Sequence, residues 1–103
     1  TPKASPTASI SAVLDRNIFR PALGQPLGIA FLPPQDGFVT IHIFDMAGGK
    51  VGMPFEGPVT TGLWIQAHWN GTNGQGQAVA NGVYFVSIQG AGVHAVKKVV
   101  LIR

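Results

Sequence analysis

Catalysis or metal binding in this 103-residue chain would have to draw on three histidines, four acids and four serines, and their spacing assembles no working set. His42, His68 and His94 each stand alone in a strand-like segment. Imidazole suits zinc or copper, but single histidines on strands read more simply as surface or hydrogen-bonded side chains. Asp15, Asp36, Asp45 and Glu56 sit in unrelated turns and strand ends. Calcium takes roughly six to eight oxygens, usually several of them from carboxylates, and glycoside hydrolysis needs two carboxylates across one sugar. Asp45 reads instead as a cap on the backbone N–H groups of the turn that follows it. Ser5, Ser9, Ser11 and Ser87 lack a Gly-x-Ser-x-Gly setting or a neighbouring His–acid pair. There is no cysteine, which excludes a disulfide framework, a thiolate zinc site and a thiol nucleophile. These residues imply a non-catalytic chain that needs no cofactor and no metal.

Aromatics and neutral hydrogen bonders carry more information. Thr40, His42 and Phe44 share one parity of their segment, Trp64, Gln66 and His68 share one parity of theirs, and Phe85, Ser87 and Gln89 do the same. If those segments are neighbouring strands, Trp64, His42, Phe44, Gln66, His68 and Phe85 form one ligand or partner face. Flat rings beside amides and imidazoles suit stacking on a polysaccharide. They equally suit an interface with a neighbouring domain or another subunit, or Trp64 lies under its own loops. Trp69 falls on the parity of Leu63, Ile65 and Ala67, which makes it a core residue with its indole N–H bonded into the next loop. Tyr84, just after Asn81-Gly82, reads as an anchor that pins that loop through its hydroxyl.

The elements that position these residues are short strands. The segments Ile10–Leu14 with Asn17–Arg20, Leu27–Leu32, Phe38–Asp45, Lys50–Phe55, Leu63–Trp69, Gly82–Gln89 and Val93–Ile102 are apolar or alternating. Pro33-Pro34, Ala47-Gly48-Gly49, Gly90-Ala91-Gly92 and the run from Trp69 to Tyr84, rich in Asn-Gly pairs, are the turns between them. No segment carries a helical apolar stripe with caps. About seven strands at close spacing predict an all-β, immunoglobulin-like antiparallel β-sandwich over residues 10–103, with a small barrel as the alternative. The last strand is apolar on both parities, so it is expected to be covered on both faces near its end or paired with another domain. Residues 1–9 have the small, Pro-containing composition of a linker or tail.

Charged residues make up only 11% of the chain against an average near 25%. With 14 glycines and 8 prolines this fits an extracellular or cell-surface module better than a cytosolic protein. The chain opens at Thr1 without a signal peptide, which reads as a fragment or mature segment of something longer. No apolar run approaches the ~20 residues of a membrane span. The net charge of +3 comes from seven scattered cations, of which only Lys97-Lys98 are adjacent; nucleic-acid binding needs a clustered basic face. Asn70-Gly71-Thr72 matches a glycosylation triplet, but its turn role explains the Asn-Gly pair.

Four motifs together resemble the FlgD Ig-like domain family, the immunoglobulin-like module of bacterial flagellar hook-capping and secreted or surface proteins. Asn17-Ile18-Phe19-Arg20-Pro21 is similar to that family's opening segment, and Val39 to Gly48, with Asp45 and Gly48, is similar to its strand and turn. Trp69-Asn70-Gly71, then Gly76 through Gly82 to Tyr84, is similar to its Trp-to-Tyr signature at the same spacing. Lys97 to Arg103 resembles its terminal strand. Ile18 stands where proline is usual, Asn70 where aspartate is usual and Gly49 where a basic residue is common. The resemblance implies a non-catalytic accessory or assembly domain of an exported bacterial protein, in which Asp45, Gly48, Trp69, Gly71, Gly76, Gly82 and Tyr84 maintain the fold. A carbohydrate-binding module appended to a secreted glycoside hydrolase is the alternative.

Overall fold

Strict alternation in the sequence becomes alternation across a sheet. Val39, Ile41 and Ile43 are fully buried while Thr40, His42 and Phe44 face outward, because successive side chains on a strand point to opposite faces. The computed structural model describes residues 12–103; the expected linker at 1–9 and the expected strand start at Ile10 lie outside the described residues. Among the described residues eight strands follow one another: β1 Ala12–Leu14, β2 Ile18–Phe19, β3 Leu27–Phe31, β4 Gly37–Phe44, β5 Lys50–Val59, β6 Ile65–Trp69, β7 Gly82–Gly90 and β8 Val93–Leu101. A single turn of 3-10 helix, Pro21–Leu23, separates β2 from β3. Among the described residues no helix is long and apolar enough to cross a membrane.

The strands form two sheets, β1-β3-β6 and β2-β8-β7-β4-β5. All pairings are antiparallel except β2 with β8. This is the immunoglobulin-like sandwich in which the first strand divides between the sheets. The core lies between them, built from Phe31, Leu27 and Ile29 on one side and Ile41, Val86, Ile88, Val99 and Leu101 on the other, with Phe19 also fully buried. Each such side chain contributes roughly 1.5–3 kcal/mol when taken from water.

Three features depart from the sequence reading. The opening stretch is not one strand. After Asp15 N–H donates to the Gly28 carbonyl (2.9 Å), the chain leaves the three-stranded sheet, and Asn17 then accepts from Val100 N–H (2.9 Å) on the other. Second, β5 does not stop at Phe55 but runs to Val59 through Pro54 and Pro58. It is an edge strand with bulged pairing to β4, the setting in which proline's missing N–H is tolerated. Third, the outer face of β8 is open in mid-strand, with Val96 57% exposed, while near its end Val100 is half-buried beside β2 and Val99 and Leu101 are buried on the inner face.

Candidate functional site

The loop between β6 and β7 is held by its own side chains. Trp69 ends β6 with its ring 5.8 Å from Phe19 and edge-on to Tyr84 at 5.4 Å. Its Nε1–H donates to the Thr72 carbonyl at 2.8 Å, so burial of the indole leaves no orphaned donor. Tyr84 Oη donates to the Ala80 carbonyl at 2.6 Å, four residues upstream, in the manner of the tyrosine corner of immunoglobulin-like domains. Asn73 Oδ1 accepts from the N–H groups of Gln75 and Gln77, which closes the turn that contains Gly76. Gly71 is buried with φ +77°, a backbone conformation that favours glycine, and a Cβ there would lie 3.2 Å from both Leu101 and Pro21, so those side chains would have to give way.

The end of the chain supplies a clasp that the sequence reading missed. Arg103 donates from Nη2 to the Gly71 carbonyl (2.7 Å), from Nε to the Val79 carbonyl (2.8 Å) and from its backbone N–H to Asn81 Oδ1 (2.8 Å). No local signal reveals contacts across 22 to 32 residues. The capping role expected of Asp45 is present: its Oδ1 accepts from Ala47 and Gly49 N–H at 3.0 and 2.8 Å, around the turn that contains Gly48. Burial first, then the negative charge of Asp45, raises the Tyr84 hydroxyl above the ordinary tyrosine value, partly opposed by Arg103. Asp45, Gly48, Trp69, Gly71, Gly76, Gly82 and Tyr84 thus lie in one turn and in the loop with its flanking strands.

The six residues proposed for one partner face are divided between two. Phe44 pairs across strands with Phe85, and His42 lies beside Phe44 with ring centroids 5.8 Å apart, all on the outer face of the five-stranded sheet. Gln66 and His68 belong to β6 of the three-stranded sheet, and Trp64 precedes that strand. The reason is connectivity: β5 hydrogen-bonds to β4, so the next strand crosses to the opposite sheet. Trp64 is 54% exposed and leads directly into β6 of the three-stranded sheet, not into the sheet that carries Phe44 and Phe85.

The outer face of the five-stranded sheet carries an ordered row. The registers place Lys50 opposite Phe44, Phe44 opposite Phe85, and Phe85 opposite Lys98. Two half-buried rings therefore lie between two exposed ammonium groups. The adjacent row is His42, Ser87 and Val96, and Ile18 and Phe38 are exposed toward the ends of the face. The outer face of the other sheet has Gly28 and Ala30 as its floor, with Asp15, Gln66 and His68 around them. Among the described residues no group of three His, Asp or Glu side chains comes together. His42 and His94 are on one sheet and His68 is on the other.

No family model matches the chain, and no curated protein does. Solved structures do. A domain of PorZ, an essential surface component of the type-IX secretion system of Porphyromonas gingivalis, superposes with a TM-score of 0.66 at 23% identity. That match covers 98% of this chain and 13% of PorZ. Dimeric latent PorU from the same organism matches with a TM-score of 0.69 at 20% identity, over 88% of this chain and 9% of PorU. The alkylpurine DNA glycosylase AlkC of Pseudomonas fluorescens, bound to DNA containing an abasic site analogue, matches with a TM-score of 0.53 at 15% identity, over 89% of this chain and 29% of AlkC. These likenesses establish an all-β sandwich that recurs as one part of much longer proteins.

Proposed function

We propose that the chain is a non-catalytic accessory module of a larger exported or surface-located bacterial protein, and that it docks a neighbouring domain or another subunit. The observation that carries this reading is the Lys50–Phe44–Phe85–Lys98 row on the outer face of the five-stranded sheet. Half-buried aromatic rings are suited to burial against a second surface, and flanking cations give that surface a preferred charge. Support comes from the resemblance of the Trp69–Tyr84 and Val39–Gly48 motifs to the FlgD Ig-like family, and from the PorZ and PorU domains of the same fold, which are small parts of long chains. A surface or extracellular location follows from the same reading.

A carbohydrate-binding role rests on Trp64 alone, since the sandwich separates it from the Phe44–Phe85 pair. The experiment is a titration of the chain with a panel of soluble polysaccharides, read by tryptophan fluorescence. Docking predicts a flat response, because Trp69 is buried and Trp64 lies off the docking face. A saturable shift that disappears in Trp64→Ala would replace the docking reading with sugar binding.

A further inference from the structure

The strand β8 is paired along only part of its outer edge. β2 covers just Val100 and Leu101. Val100 N–H points toward β2, where it donates to the Asn17 carbonyl. The register between β7 and β8 runs without a shift from Val93 to Leu101. Backbone N–H and C=O groups alternate sides along a strand, so those of Lys98, Val96 and His94 face the same edge as Val100. Among the described residues no strand pairs with them there. Beside this edge the two sheets part, leaving an open cleft of about 470 Å³ lined by Val13, Leu14, Arg16, Asn17, Lys97 and Lys98.

We infer that this edge is a strand-addition site that accepts an extended, acidic segment of another protein. Such a segment would complete the hydrogen bonding of His94, Val96 and Lys98, the mode by which open sheet edges bind peptides. Its outward side chains would lie beside those three residues. Its inward side chains would enter the cleft, where Val13 and Leu14 are apolar and Lys97, Lys98 and Arg16 are cationic. Only Arg16 has an ion-pair partner among the described residues, Asp15 at 3.0 Å. Lysines on an open edge discourage pairing with a like-charged strand. They therefore select against a second copy of this chain, whose edge carries the same two lysines, and in favour of a carboxylate-bearing strand. The site shares Lys98 with the Phe44–Phe85 row but uses neither of its rings.

The test uses the 103-residue chain and two fluorescein-labelled octapeptides, one alternating glutamate with valine and the other alternating lysine with valine. Binding is read by anisotropy, and amide exchange is followed at His94, Val96 and Lys98. The acidic peptide is expected to bind saturably and slow exchange at those three amides, and the basic peptide is not. Val96→Pro removes an N–H that faces the open edge and leaves the β7 ladder intact, and should weaken binding by at least about tenfold. Lys97→Glu, whose side chain lines the cleft, should reverse the preference between the peptides even if the proline variant fails to fold. Phe44→Ser should leave peptide binding unchanged, so failure of the docking reading and failure of this one are separable. The inference is overturned if the acidic peptide protects none of the three amides or if both peptides bind equally. It is also overturned if the edge instead pairs two copies of the chain in a dimer that Val96→Pro abolishes.

Discussion

Replacing Tyr84 with phenylalanine isolates one bond of the loop and gives it a pH signature. The ring keeps its edge-on contact with Trp69, and only the Oη–H donated to the Ala80 carbonyl at 2.6 Å is lost. Ala80 is exposed, so water can take over the vacated carbonyl, and the cost is that of an ordinary hydrogen bond, about 1 kcal/mol. For a domain of this size that is a fall in Tm of roughly 4–8 °C near neutral pH. The sign of the pH dependence follows from linkage. The folded pKa of Tyr84 is raised above its unfolded value of 10.0, so above that pH the unfolded chain releases a proton that the folded chain retains. This contribution is fully present below pH 10 and is lost as pH rises through the folded pKa. The gap between wild type and Tyr84→Phe should therefore narrow with alkalinity, all other titrations being common to both. Thermal unfolding followed by circular dichroism at neutral pH and at several points above pH 10 reads the effect. A Tyr84→Phe protein as stable as wild type at neutral pH, or a gap that stays constant with pH, would refute the anchoring role.

Gly71→Ala should cost more than 1 kcal/mol in urea unfolding, because alanine is strained at φ +77° and its Cβ meets Leu101 and Pro21 at 3.2 Å. Arg103→Ala should lower stability by about 1–2 kcal/mol and speed amide exchange at Val79, whose N–H bonds to Gly71; Arg103→Lys should fail to rescue it, since an ammonium lacks the fork that spans two carbonyls. Asp45→Ala should cost about 1 kcal/mol by freeing the Ala47 and Gly49 N–H groups, and should move the Tyr84 titration downward by removing a negative charge. Trp69→Ala should cost roughly 3–5 kcal/mol in the same urea assay through the cavity it leaves beside Phe19 and Tyr84.

The sandwich was legible because its strands alternate cleanly. Val39, Ile41 and Ile43 announce a buried face, and the Asn-Gly and Gly-Gly turns announce where it folds back. The roles of Asp45, Trp69 and Tyr84 were legible for the same reason, since each acts within four residues of itself. The arrangement of the candidate face was not. Parity shows which residues share a side of one strand, but not which strands share a sheet. The crossing between β5 and β6 is what separates Gln66 and His68 from His42, Phe44 and Phe85. The extent of β5 was hidden by Pro54 and Pro58, which break a central strand but not an edge one. The Arg103 clasp joins residues that only the folded chain brings together.

Docking through the five-stranded sheet is tested most directly by placing a photo-crosslinking phenylalanine derivative at position 85, and separately at position 66, in cells that produce the protein. The residues at those positions lie on opposite outer faces, Phe85 in the aromatic row and Gln66 on the other sheet. A discrete protein adduct from position 85 and none from position 66 is the expected result. An adduct from position 66 alone, or none from position 85, would contradict it.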